Sequence, residues 1–111
     1  MESKFLAEKV CLSLCNHKAE DVVSIALSDG VADYFVVASG RNTTHVCALA
    51  ERLEEEMEKD GIVKLRGEGL KDGRWAVIDY GDVMVHIFND ESRLFYHLEK
   101  LWDNGENVKK Y

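Results

Sequence analysis

Thiols, imidazoles and carboxylates are the side chains of this sequence with the potential for chemistry. Cys11, Cys15 and His17 lie close together, with His45 and Cys47 farther along. None of these spacings matches the paired patterns that deliver ligands to a tetrahedral zinc ion. Cys11 and Cys15 also fall on the apolar row of a helix, where cysteine serves as a small hydrophobe. Packing is therefore the favoured reading, and neither a structural metal nor an intrachain disulfide is expected. A nucleophilic cysteine would need a base and oxyanion donors, and no signature identifies them. Asp79 and Asp82 suggest the paired carboxylates with which a phosphotransferase holds a metal. A tight turn over residues 81 and 82 would leave them with no need to converge, and Asp82 is explained as a turn residue. Asp79 is assigned to surface recognition instead. The Ala38-Ser-Gly40 loop between a buried strand and a helix suits an anion. It lacks the G-x-G-x-x-G and G-x-x-x-x-G-K-[ST] patterns, so a capped strand-to-helix turn is preferred to a nucleotide site.

These residues depend on the elements that carry them. Leu6, Val10 and Leu14, with Ala7, Cys11 and Cys15 on the adjoining row, predict an amphipathic helix over residues 3–16. Residues 21–27 alternate as a strand with Val23, Ile25 and Leu27 on its better-buried face. Residues 28–30 supply a turn, and the uniformly apolar run 34–38 predicts a central strand covered on both faces. Val46, Leu49, Ala50, Leu53 and Met57 then mark a second helix ended by Gly61. Its Glu51, Glu54, Glu55, Glu56 and Glu58 form a solvated face.

A further strand is expected over residues 62–65, then a glycine-marked loop over 67–73. Residues 75–80 and 83–88 read as an antiparallel hairpin around Gly81-Asp82. Trp75, Tyr80 and His86 on that hairpin suit an interface, where aromatic side chains combine apolar contact with a polar handle. They equally suit a helix-covered core, and periodicity leaves both readings open. A terminal helix follows Asn89 or Asp90 with Leu94, Leu98 and Leu101, and its Phe95, Tyr96 and Trp102 offer a homodimer interface. The tail from Asp103 is expected to fray. The order α-β-β-α-β-β-β-α predicts an α/β fold with a mixed sheet flanked by helices.

Composition bounds the rest. The 111 residues, 46% hydrophobic and 32% charged, support one core and argue against disorder. With 21 acidic against 14 basic residues the formal charge is −7, which repels a phosphate backbone and disfavours direct DNA or RNA binding. The N-terminus lacks the basic and apolar regions of a signal peptide, and no window reaches membrane-spanning length, so a cytoplasmic setting is expected.

Glu68-Gly-Leu-Lys-Asp-Gly-Arg-Trp75 followed by Asp79-Tyr-Gly-Asp-Val-Met-Val-His-Ile-Phe88 resembles the central motif of the Iojap, or ribosomal silencing factor, family. Asp33-Tyr-Phe-Val-Val-Ala-Ser-Gly40 and Arg93-Leu-Phe-Tyr-His-Leu-Glu-Lys-Leu-Trp102 resemble two further blocks. The resemblance makes residues 1–103 one domain and 104–111 a short polar tail, and it implies a nucleotidyltransferase-like fold. Ala38-Ser-Gly40 becomes a relic of a phosphate loop, but Asp79 and Asp82 do not alternate along a strand as active carboxylates would. The implied protein is not an enzyme and carries no cofactor. It binds the large ribosomal subunit through ribosomal protein L-fourteen, blocks subunit joining and represses translation when nutrients are scarce. Matched position by position, recognition falls on Glu68, Gly69, Arg74, Trp75, Asp79, Tyr80, Asp82 and His86. Met84 stands where the family often has a smaller aliphatic residue, and Thr44-His45 departs from the usual start of the second helix.

Overall fold

The computed structural model describes residues 2–27, 32–89 and 107–111. Helix α1 (Ser3–Asn16) buries Leu6, Ala7, Val10, Cys11 and Leu14, the row that its helical spacing puts on one side. It ends in a Schellman turn, in which Lys18 N–H donates to the Cys15 carbonyl and Ala19 N–H to that of Leu14, both at 3.0 Å. Lys18 occupies the left-handed position of that turn at φ +68°. Helix α2 (Thr43–Lys59) is capped by Asn42, whose side chain accepts from His45 N–H at 2.8 Å. It closes with the same turn built on Gly61, whose N–H donates to Glu58 while Ile62 N–H donates to Met57.

Strands β1 (Glu20–Ala26), β2 (Tyr34–Gly40), β3 (Arg66–Glu68), β4 (Trp75–Asp79), β5 (Val83–Asn89) and β6 (Val108–Lys110) form one sheet in the order β3-β4-β5-β2-β1-β6. The β2–β5 pair is parallel and the other neighbours are antiparallel. This is the expected mixed α/β sheet, with β2 inside it and residues 35–40 buried. The hairpin forms as its composition dictates. Tyr80 N–H donates to the Val83 carbonyl at 2.9 Å, and Gly81 takes the φ of +91° that a primed two-residue turn needs. Val36, Ala38, Ala76, Ile78, Val83, Val85 and Ile87 pack against both helices, while Val23, Ile25, Phe35, Val37 and Phe88 form a second cluster on the other face.

Three expectations require correction. Ala38-Ser-Gly40, expected as a loop, is the buried end of β2 and pairs with Ile87, Phe88 and Asn89 of β5. The strand expected over residues 62–65 forms instead at Arg66–Glu68. Ile62 N–H is spent closing α2, and Val63 and Leu65 stand 66% and 70% exposed. An apolar run is thus a connector, and its polar continuation pairs with β4. The tail from Asp103, expected to fray, ends in β6, where Lys110 pairs opposite Val23 and Val108 opposite Ile25. Tyr111 N–H donates to the Val22 carbonyl at 2.8 Å. The turn over 28–30 and the terminal helix bearing Phe95, Tyr96 and Trp102 lie outside the described residues.

Candidate docking surface

Residues paired across neighbouring strands project from the same side, so the face away from the helices consists of rows. One runs Arg66, Asp79, Met84, Phe35, Ile25 and Val108; the next runs Glu68, Val77, His86, Val37, Val23 and Lys110. Both pass from open to closed as they leave β3. Arg66 and Glu68 are exposed, Asp79, Met84 and Val77 are half-buried, and Phe35, His86 and Val37 are buried. A depression of about 120 Å3 at the open end is lined by Arg66, Gly67, Glu68, Val77, Asp79 and Met84.

Trp75 and His86 join the open and closed parts. Trp75 Nε1–H donates to His86 Nδ1 at 3.1 Å, and the indole stacks on Phe88 at 5.0 Å between centroids. Phe35 meets the imidazole edge-on at 4.8 Å. Accepting this hydrogen bond at Nδ1 fixes the neutral ring with its hydrogen on Nε2. Burial favours the same state by lowering the His86 pKa to about 4. Nε2 is buried with no hydrogen-bond partner among the described residues. His86 therefore orients a half-buried tryptophan from below instead of offering itself at the edge of the surface.

Asp79 is likewise committed inside the chain. Its carboxylate accepts from Gly81 N–H at 2.8 Å and pairs with Arg66 at 3.4 Å, leaving the side chain 14% exposed. It braces the hairpin turn and holds Arg66 over the margin. Gly69 has a backbone reason to be glycine: at φ +68° a Cβ there would lie 2.1 Å from the Trp75 carbonyl oxygen. Tyr80 points the other way, into the helix-covered cluster, and burial, followed by Glu54 and Glu58, raises its pKa. Arg74 and Asp82 are exposed at opposite ends of β4. The structure thus gathers Glu68, Trp75 and Asp79 at one margin, leaves Arg74 and Asp82 apart, and turns Tyr80 and His86 inward. Sequence reasoning missed Arg66, Val77 and Met84. Cross-strand pairing would have revealed them had the strand been placed at residues 66–68.

Elsewhere local structure accounts for the chemical candidates. A Cβ on Gly40 would meet Val46 Cγ2 at 2.8 Å and Val46 N at 3.0 Å, so close packing of α2 on β2 explains this glycine without a phosphate. Burial raises the Cys11 pKa to about 12, keeping it a thiol. Cys11, Cys15 and Cys47 are all free, and among the described residues no group of three His, Cys, Asp or Glu is placed to hold a metal ion. Ser13, His17 and Glu56 look like a hydrolase triad but are wired differently. His17 Nε2 meets Glu56 Oε1 at 2.6 Å, and the Ser13 hydroxyl donates to the carboxylate, not to the imidazole. No imidazole therefore faces the hydroxyl, and the cluster clasps α1 to α2. Its hydrogen bonds from Ser13 and His17 hold the Glu56 carboxyl below its ordinary pKa.

Among the described residues, two helices on one side of a mixed six-stranded sheet, with a polar and aromatic margin on the other, define a small α/β domain that presents a surface. Residues 1–110 match the family model described as "ribosomal silencing factor during starvation", and the chain belongs to that family. Ribosomal silencing factor RsfS of Bacillus subtilis is 36% identical over 100 residues, covering 87% of this chain and 85% of its own. A Chromobacterium violaceum protein of known crystal structure superposes with a TM-score of 0.88 at 28% identity, covering 92% of this chain and 87% of its own. A Bacillus halodurans structure gives 0.83 at 33% identity, covering 97% and 99%. The resemblance read from the motifs is borne out along nearly the whole chain.

Proposed function

We propose that this protein represses translation by docking on the large ribosomal subunit through ribosomal protein L-fourteen, in the cytoplasm and under nutrient limitation. A domain seated on the face that meets the small subunit excludes that subunit sterically, so no bond need be made or broken. The chain acts as a regulatory factor and not as an enzyme. The observation that carries this reading is the β3–β4 margin, where exposed Glu68, half-buried Trp75 and the Asp79–Arg66 pair share one face of two adjoining strands. Such a margin offers the Glu68 carboxylate to a basic partner and one aromatic anchor with apolar neighbours. Asp82 and Arg74 extend the contact at its ends. A homodimer of the free protein belongs to the same proposal, and a monomeric mass at high concentration would remove it.

Co-sedimentation with purified large subunits is the direct test, paired with a subunit-joining assay. Wild type is expected to co-sediment and to inhibit joining, with no turnover of added nucleotide. Trp75→Ala is expected to weaken binding by about 2 kcal/mol, roughly 30-fold, with circular dichroism confirming that the variant is folded. A wild type that never binds large subunits defeats the proposal. A folded Trp75→Ala that binds normally defeats only the choice of surface.

A further inference from the structure

At the corner where α1 ends and α2 begins, a cavity of about 260 Å3 is lined by Asn16, His17, Lys18, His45, Leu49 and Arg52, with Ala48 between them. Its wall contains no carboxylate, whereas the depression at β3 includes Glu68 and Asp79, and the α1–α2 groove includes Glu56 and Asp60. In a chain with 21 acidic and 14 basic residues, this is a local reversal of charge. Lys18 and Arg52 make no ion pair among the described residues, as is also true of Lys4, Arg41, Lys59, Lys71 and Lys110, but these two share one carboxylate-free wall. Glu56, one helical turn beyond Arg52, is occupied by Ser13 and His17.

The wall is held in place by His45. Its Nδ1 accepts from Arg41 N–H at 3.0 Å, and its Nε2 lies 3.2 Å from the His17 carbonyl oxygen. With Nδ1 accepting, Nε2 carries the hydrogen and donates, so a neutral imidazole ties the start of α2 to the end of α1.

Lys18 stands in a position that the fold does not reserve for lysine. The turns ending α1 and α2 have the same hydrogen bonds. The second places Gly61 at the left-handed residue, φ +77°, and the first places Lys18 there, φ +68°. Glycine is the usual occupant because a Cβ is disfavoured in that conformation. Folding therefore does not explain the lysine, which lines the same carboxylate-free cavity as Arg52.

We propose that this corner binds a phosphate of an RNA backbone, with Lys18, Arg52 and the Asn16 amide as donors; the inference rests on the large-subunit reading above. An ammonium, a planar guanidinium and an amide suit phosphate oxygens. A net charge of −7 repels nucleic acid as a whole, so the contact with free RNA is weak and tightens once the β3–β4 margin holds the subunit and brings a ribosomal RNA strand alongside.

The test is the salt dependence of large-subunit binding for wild type, Lys18→Gly and Arg52→Gln. Losing one phosphate contact flattens the slope of log affinity against log salt by about 1. Each variant should show that flattening and bind more weakly at low salt, with the curves converging at high salt. Lys18→Gly should also melt at the same or a higher temperature, because glycine relieves the left-handed residue. Weaker binding by a protein of equal or greater stability excludes misfolding as the cause. Unchanged slopes in both variants overturn the inference and leave the docking proposal standing. A wild type that binds no large subunits defeats the docking proposal instead. The inference is then decided by titrating a short RNA duplex against labelled protein and following amide shifts. Movement at residues 16–18 and 48–52 that disappears in Arg52→Gln upholds it. No movement, or movement with inorganic phosphate alone and not with RNA, overturns it.

Discussion

The two faces of the sheet solve different problems with the same alternating strands. On the helix side, Leu53, Val36, Ile78, Val85 and Ile87 are fully buried, and the central strand positions there pack against the apolar rows of α1 and α2. On the other side, aromatic packing around Phe35, His86 and Phe88 gives way to Glu68 and Arg66 at the β3 edge. The difference separates stability from recognition: one face tolerates no change of volume, and the other keeps polar groups where a partner can reach them.

Leu53→Ala should break the closed face most severely. Its side chain is 0% exposed, and truncating such a leucine costs about 2–5 kcal/mol. Chemical denaturation should report that loss, while the folded fraction binds large subunits as wild type does. A specific binding defect in this variant would show that the faces are not separable.

Acid should strike the second face next. The folded pKa of His86 lies at about 4, below the ordinary value near 6.5. Between those values the unfolded chain takes up a proton that the folded one refuses, so stability falls as pH drops from about 6.5 to 4 and is intact above. The loss from this group is on the order of 3 kcal/mol. Denaturant midpoints across that range should show it, and His86→Gln should flatten the curve. Glu56, held below its ordinary pKa, adds a loss on the same acid side that begins only as pH falls through the carboxylate range. A fall persisting around pH 6 in His86→Gln would remove the buried imidazole as its cause.

Asn42→Ala removes the cap that accepts from His45 N–H and should cost about 1 kcal/mol of stability. Thermal melting checks it, and large-subunit binding through the β3 margin should survive. Glu68→Lys should show the inverse pattern. The side chain is exposed, so stability should move by less than about 0.5 kcal/mol, while affinity for a basic partner falls and its salt dependence changes. Equal affinity for wild type and Glu68→Lys would take this acid out of the interface.

Periodicity revealed whatever repeats. The apolar rows of α1 and α2, the buried run of β2 and the Gly81-Asp82 hairpin were all readable because spacing alone determines which side chains share a face. Short elements were not. Ile62, Val63 and Leu65 look more like a strand than Arg66, Gly67 and Glu68, but the closing turn of α2 takes the Ile62 N–H and shifts pairing onward. In β6, three residues give too little alternation to distinguish a strand from a tail. For the candidate site, periodicity left Trp75, Tyr80 and His86 open to surface or core, and only the fold shows a half-buried Trp75 resting on a buried His86 through the Nε1–H to Nδ1 bond of 3.1 Å, with Tyr80 on the other face. Likewise, nothing in the residue type of Asp79 reveals that its carboxylate is already engaged by Gly81 and Arg66.

Both outer strands of the sheet, β3 and β6, are only three residues long. A long bare edge is a template for uncontrolled strand pairing between molecules, and short edges bearing lysine blunt it. β6, with Lys109 and Lys110, lies along the seven-residue β1, so those last residues act as a guard against aggregation. Deleting residues 108–111 would uncover the Val23 to Ile25 backbone and should leave a protein that clumps on concentration or on storage.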